Sequence, residues 1–131
     1  MNILTEKVRS HPLRTAALWS AQAVLVVVFA WAGMLKLAMP IDDLVQRMGL
    51  TATTIRFIAV AELAAAVGMD PLLTKAKPAL TGFAGVGLAL VMMLAAAYHL
   101  GRGETAMIPT NVVLGALATF VAWGRLNGDD R

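Results

Sequence analysis

The sequence contains no cysteine. That excludes disulfide exchange, thiolate catalysis and iron–sulfur ligation by this chain acting alone. Charge is also scarce: Asp, Glu, Lys and Arg make up 15% of the residues, against about 25% in an ordinary soluble domain. No stretch alternates polar with apolar residues as a membrane barrel strand does, so strands are not expected. The net charge of +3 is not gathered into a basic face interleaved with aromatics, and nucleic acid is not an expected partner.

What the chain has instead is apolar sequence in long runs. Hydrophobic residues reach 59% of the 131 and the mean hydropathy is +0.72. Four runs, Ala16–Leu35, Ile55–Leu73, Ala79–Tyr98 and Met107–Trp123, each approach the roughly 17–25 residues that cross a bilayer core. The expected fold is all-α: a single domain over 1–131, built as an antiparallel four-helix transmembrane bundle. Its spans are expected at about 16–37, 55–73, 79–99 and 107–125. The second is the weakest, because Asp70-Pro71 should stop or kink its helix. The first run is longer than the roughly 7–15 residues of a signal-peptide core, so it reads as an uncleaved helix despite Ala30-Trp31-Ala32.

With four spans the N-terminus, the second loop and the C-terminus share one side. That side carries Lys7, Arg9, Arg14, Lys75, Lys77, Arg125 and Arg131; the other carries Arg47, Arg56 and Arg102, with Lys36 nearby. The positive-inside rule then places both termini in the cytoplasm of a multi-pass inner (plasma) membrane protein. The tails, Met1–Pro12 and Asn127–Arg131, read as solvated ends. Between the first two spans, Ile41, Leu44, Val45 and Met48 share one helical face. Pro40 suits a helix start and Gly49 a stop, so a short interfacial helix is expected, with Thr51 to Thr54 capping the span that follows.

Glu62 is the informative residue, a carboxylate inside the run from Phe57 to Met69. An ionisable group at that depth should face other helices and have a partner. Lys36 in the last turn of span one, His99 at the end of span three, Glu104 just beyond it and Asn111 at the start of span four all fall in the same outer half. Lys36, Glu62, His99 and Asn111 each lie on a stripe of small residues that lets helices approach: Gly33 near Lys36, Ala65 and Ala66 near Glu62, Gly85 and Ala89 on the His99 stripe, Gly115 on the Asn111 stripe. Two readings stand side by side. Lys36, Glu62, His99, Asn111 and Glu104 bind a polar headgroup or relay a proton; alternatively, they form a buried pair with its hydrogen bonds that only fixes packing. Lys36 snorkelling to the headgroups is a further alternative. No metal site is expected: His11 and His99 lie on opposite sides of the membrane, and Lys36 would disfavour a cation beside Glu62.

The pattern Phe29-x-x-x-Gly33-x-x-Lys36-Leu37, Glu62-x-x-Ala65-Ala66-x-Gly68, His99 with Glu104, Pro109-x-Asn111 and Gly124-Arg125 resembles the DoxX-like family over nearly the whole chain. Met69-Asp70-Pro71 departs from it, since the family tends to be apolar before the proline. The resemblance implies a small four-helix inner-membrane protein, some relatives of which are associated with quinone-linked sulfur oxidation or redox-stress complexes. It assigns no chemistry to Lys36, Glu62, His99 or Asn111. Quinone is the expected cofactor, none being covalently bound. The expected partners are the lipid bilayer and either a redox protein or further copies of this chain. The alternatives are a non-catalytic membrane subunit and, last, a small-solute transporter.

Overall fold

The computed structural model describes residues 3–127, with side chains from Pro12 onward. His11 and the last four residues, which the sequence places in solvated ends, lie outside the described side chains. Six helices follow in order: α1 (Ile3–Ala38), α2 (Ile41–Met48), α3 (Ala52–Gly68), α4 (Pro71–Ala76), α5 (Pro78–Gly101) and α6 (Ile108–Leu126), with a single 3-10 turn at Thr105–Met107 before the last. There are no strands among the described residues. The segments Pro12–Ala38, Pro78–Gly101 and Thr105–Leu126 are each long and apolar enough to cross a membrane. The number rises to four if α2 and α3, bent by 98° at their junction, count as one span.

The four long helices form a ring. α1 packs on α3 and α6, α5 packs on the same two, and the diagonal pairs do not meet. Phe29, Leu25, Met69, Leu88, Met92 and Val121 close the middle of the ring, while Val27, Phe57, Leu94 and Val112 face outward. This inversion of the soluble pattern is what lipid allows, because an apolar outer surface costs nothing there. α5 and α6 approach closely at Gly85, where a Cβ would stand 2.8 Å from the Ala118 carbonyl oxygen and 3.0 Å from the Ala122 nitrogen. Only glycine fits against that backbone.

The short helices cap the two ends. α2 starts after Pro40 and ends at Gly49, whose φ of 65° is left-handed and whose N–H closes on the Val45 carbonyl. Its face of Ile41, Leu44, Val45 and Met48 turns toward the bundle, with Leu44 buried, and Asp42, Asp43 and Arg47 remain exposed. The Thr51 side chain accepts from the Thr54 N–H and so caps α3.

Two boundaries differ from the sequence expectation. The helix that carries the first span is not confined to 16–37; it is continuous from Ile3 to Ala38 through Pro12. The second span does not reach 73. α3 stops at Gly68 after 17 residues, and Leu72 and Leu73 belong to the separate α4. The cause is local: the Asp70 carboxylate accepts from the Leu72 and Leu73 N–H groups at 2.9 and 3.3 Å, with Pro71 in the first turn. A capped new helix start competes with continuation, and proline removes the donor that continuation needs. The Asp70-Pro71 pair is thus the device that turns α3 into α4.

Candidate functional site

Lys36 and Glu62 are in contact. Lys36 Nζ donates to both carboxylate oxygens of Glu62, at 2.9 and 3.1 Å, and approaches the Ala32 carbonyl at 3.5 Å. Helical side chains lean toward the N-terminus of their helix, which aims Lys36 down into the bundle rather than outward, so it does not snorkel. Glu62 lies ten residues into α3 and is 7% exposed. The two helices can come this close because Gly33 faces Leu63 and the Ala59 carbonyl. Arg56 donates to the Lys36 and Leu37 carbonyls, which satisfies the open end of α1 beside the pair.

His99 and Glu104 form a second group at the end of α5. His99 Nδ1 is 2.7 Å from Glu104 Oε2, and Arg102 Nε donates to Glu104 Oε1 at 2.9 Å. The Glu104 carboxyl is held below its ordinary 4.5, first by the Arg102 hydrogen bond and then by the one from His99, and Glu104 in return raises the Arg102 guanidinium. Arg102 also donates to the Arg47 and Met48 carbonyls at 3.1 Å each, and the Tyr98 hydroxyl donates to Met48 O. These contacts tie the C-terminal end of α2 to the end of α5, where a cation suits the exposed carbonyls.

Asn111 stands apart from both groups. It is 6% exposed, and its Nδ2 has no hydrogen-bond partner among the described residues. It lines a groove of about 210 Å³ between α5 and α6, with Ala89, Met92, Met93, Ala96, Val112, Gly115 and Thr119. The Thr119 hydroxyl is already committed to the Gly115 carbonyl at 2.8 Å. Met93 and Val112 are exposed, so the groove opens sideways toward lipid. The five candidate residues therefore divide into an ion pair between α1 and α3, an acid–histidine group at the α2 end, and a lone amide in a lateral groove. Among the described residues no three His, Asp or Glu side chains gather so as to hold a metal ion.

A further buried polar group lies at the α4 end. Gln22, 1% exposed, donates to the Met69 carbonyl at 3.1 Å and to Thr74 Oγ1 at 3.0 Å, and it accepts from Arg125 Nε at 2.6 Å. Thr74 and Thr81 hydroxyls meet at 2.7 Å. Arg125, 3% exposed, also lies over the Trp19 ring at 4.4 Å. This arrangement was not anticipated from the sequence. The usable signal was the helical spacing of Arg125 from Val121, Ala122 and Ala118, which puts it on the buried stripe of α6.

Four apolar helices closing a ring around buried polar side chains define a small integral membrane protein. The profile of the DoxX-like family matches residues 20–121, and the chain belongs to that family. No curated protein and no solved structure matches the chain.

Proposed function

We propose that this chain is a redox-associated membrane subunit that holds a quinone or isoprenoid-type lipid at its α2-end half. The observation that carries this reading is the Asn111 amide, buried and without a partner among the described residues in a groove open to lipid. A buried donor left unmade is costly and is tolerated where a ligand completes it. The groove supplies one donor and otherwise methionine, alanine, valine and glycine surface. That suits a neutral ring or chain bearing one acceptor, such as a quinone carbonyl, and does not suit a charged headgroup. A cavity of about 150 Å³ lined by apolar residues holds a benzene ring, so 210 Å³ is on the scale of a substituted ring. Reduction of such a ring takes two electrons and two protons. With no cysteine in the chain, a redox partner protein supplies the electrons, and the protons come from solvent or that partner.

The test is mass spectrometry of lipids extracted from detergent-purified protein, wild type beside Asn111→Leu and Glu62→Gln. Quinone or isoprenoid enrichment in the wild type, lost in a folded Asn111→Leu protein, supports the reading. Equal content in wild type and Asn111→Leu rejects it.

A second reading is favoured by the closure of Lys36 on Glu62 and of His99 on Glu104. On that reading the polar residues fix helix packing in a non-catalytic subunit that assembles with protein partners. It requires that loss of the pair harm stability rather than ligand content.

A further inference from the structure

The α4 end of the ring holds a second, larger opening that the reading above does not use. It is a groove of about 1310 Å³ bounded by Pro12, Ala16 and Trp19 of α1, by the α4–α5 link from Thr74 to Leu80, and by Arg125 and Leu126 of α6. Small-molecule pockets run to about 1,000 Å³; this one is larger and open on the side where Leu80 and Leu126 are exposed. Its polar and apolar surfaces are arranged in layers. Arg125 forms the floor, held by Gln22 and by the face of Trp19. Lys75 and Lys77 stand exposed at the rim. Ala16, Ala79, Leu80 and Leu126 make walls that continue along α1, α5 and α6 into the apolar region.

The charges are one-sided. Lys75 and Lys77 line its rim and no carboxylate lines the groove, among the described residues. At the opposite end Lys36 and Arg102 each have a carboxylate in contact; Lys75 and Lys77 have no ion pair among the described residues. Asp70 is the neighbouring acid, and its carboxylate is committed to the Leu72 and Leu73 N–H groups. A cationic rim above apolar walls is complementary to a phosphate carrying acyl chains. Basic recesses between membrane helices take anionic lipid headgroups in this manner.

We propose that this groove binds one anionic phospholipid, its phosphate between Lys75 and Lys77 at the rim and its chains along Leu80 and Leu126. The site is independent of the Asn111 groove, which faces the other half of the ring.

The test is native mass spectrometry of the detergent-purified full chain with an equimolar mixture of phosphatidylglycerol and phosphatidylcholine. Phosphatidylglycerol should be retained preferentially, and Lys75→Gln with Lys77→Gln should weaken that retention by about 25-fold, at roughly fivefold per lysine. Both lysines are exposed, so the double variant should melt like the wild type. Equal retention of the two lipids, or a preference that survives the double substitution, overturns the proposal. Displacement of phosphatidylglycerol by millimolar inorganic phosphate also overturns the lipid assignment and makes the ligand a free phosphate.

Discussion

Gln22 on α1 and Arg125 on α6, 103 positions apart, meet through a 2.6 Å hydrogen bond at the α4 end of the ring. The same Gln22 amide also reaches the Met69 carbonyl where α3 turns into α4. One side chain thus links three helices and a turn. Replacing Gln22 with Leu keeps the volume but leaves the Arg125 Nε and the Met69 carbonyl without this partner. The expected loss is roughly 2 kcal/mol or more, each abandoned buried group costing about 1–3 kcal/mol. Thermal or denaturant unfolding in detergent measures it, and an unchanged midpoint would show that the link is dispensable.

The Lys36–Glu62 pair predicts a pattern across variants more than a single number. Glu62→Gln or Lys36→Met alone should destabilise by roughly 3 kcal/mol, the lower part of the range for breaking a buried pair, since the lysine side chain keeps 20% exposure. The double variant should recover much of the loss, because no lone charge remains buried. A double variant as unstable as the sum of the singles would mean that the pair is not what the substitutions remove.

Asn111→Leu carries the opposite sign. It deletes a buried donor that has no partner and fills apolar space, so the ligand-free protein should become more stable, by about 1 kcal/mol or more. The proposed lipid should be lost in the same protein. Gain of stability with loss of ligand distinguishes a binding residue from a packing residue, for which both quantities would fall together.

Glycine at 85 should tolerate no side chain. Gly85→Ala sets a methyl 2.8 Å from the Ala118 carbonyl oxygen, a backbone atom that cannot swing aside. Overpacking of this kind costs about 1–3 kcal/mol. Gly87→Ala is the matched control on the same helix, since nothing lies within 4 Å of the added carbon, and its midpoint should hold or rise.

Glu104 gives the pH dependence. Its carboxyl sits below the ordinary 4.5 because Arg102 and then His99 hydrogen-bond its charged form. A depressed acid stabilises the fold fully above its unfolded value and loses that contribution as pH falls through the lowered value. Melting of wild type and Glu104→Gln should therefore differ near neutral pH and converge in the acid range below about 4.5. Parallel curves down to low pH would detach Glu104 from the anchoring of α2.

Much of this architecture is legible in the sequence because lipid imposes a coarse code. Long apolar runs must become helices there, and Pro40, Gly49 and Thr51 punctuate α2 and α3 by rules that need no tertiary context. Glu62 and Lys36 are findable because a charge in such a run has to point inward. The breakdown of span two was only half visible: Asp70-Pro71 announces a break, but whether Leu72 and Leu73 continue the span depends on the Asp70 cap. The partition of the five polar residues into three separate places was not visible. Depth along each helix follows from counting residues, whereas which helices neighbour one another in the ring does not. The interior place of Arg125 was missed for a related reason: it was read as a topology signal and a pattern residue, and only the burial of its stripe shows it to be interior.

α3, at 17 residues, is about 26 Å long at 1.5 Å per residue, shorter than the roughly 30 Å hydrocarbon layer. Its longer neighbours α1 and α5 do not share that deficit. A bilayer meeting this ring must thin on one flank, or the bundle must lean, each at a fraction of a kcal/mol per Å of mismatch. The dimple would bring water and headgroups toward the flank that carries Glu62, and it would favour membranes thinner than average. The Asp-Pro turn that ends α3 is then a determinant of where in a membrane system this protein is most at ease.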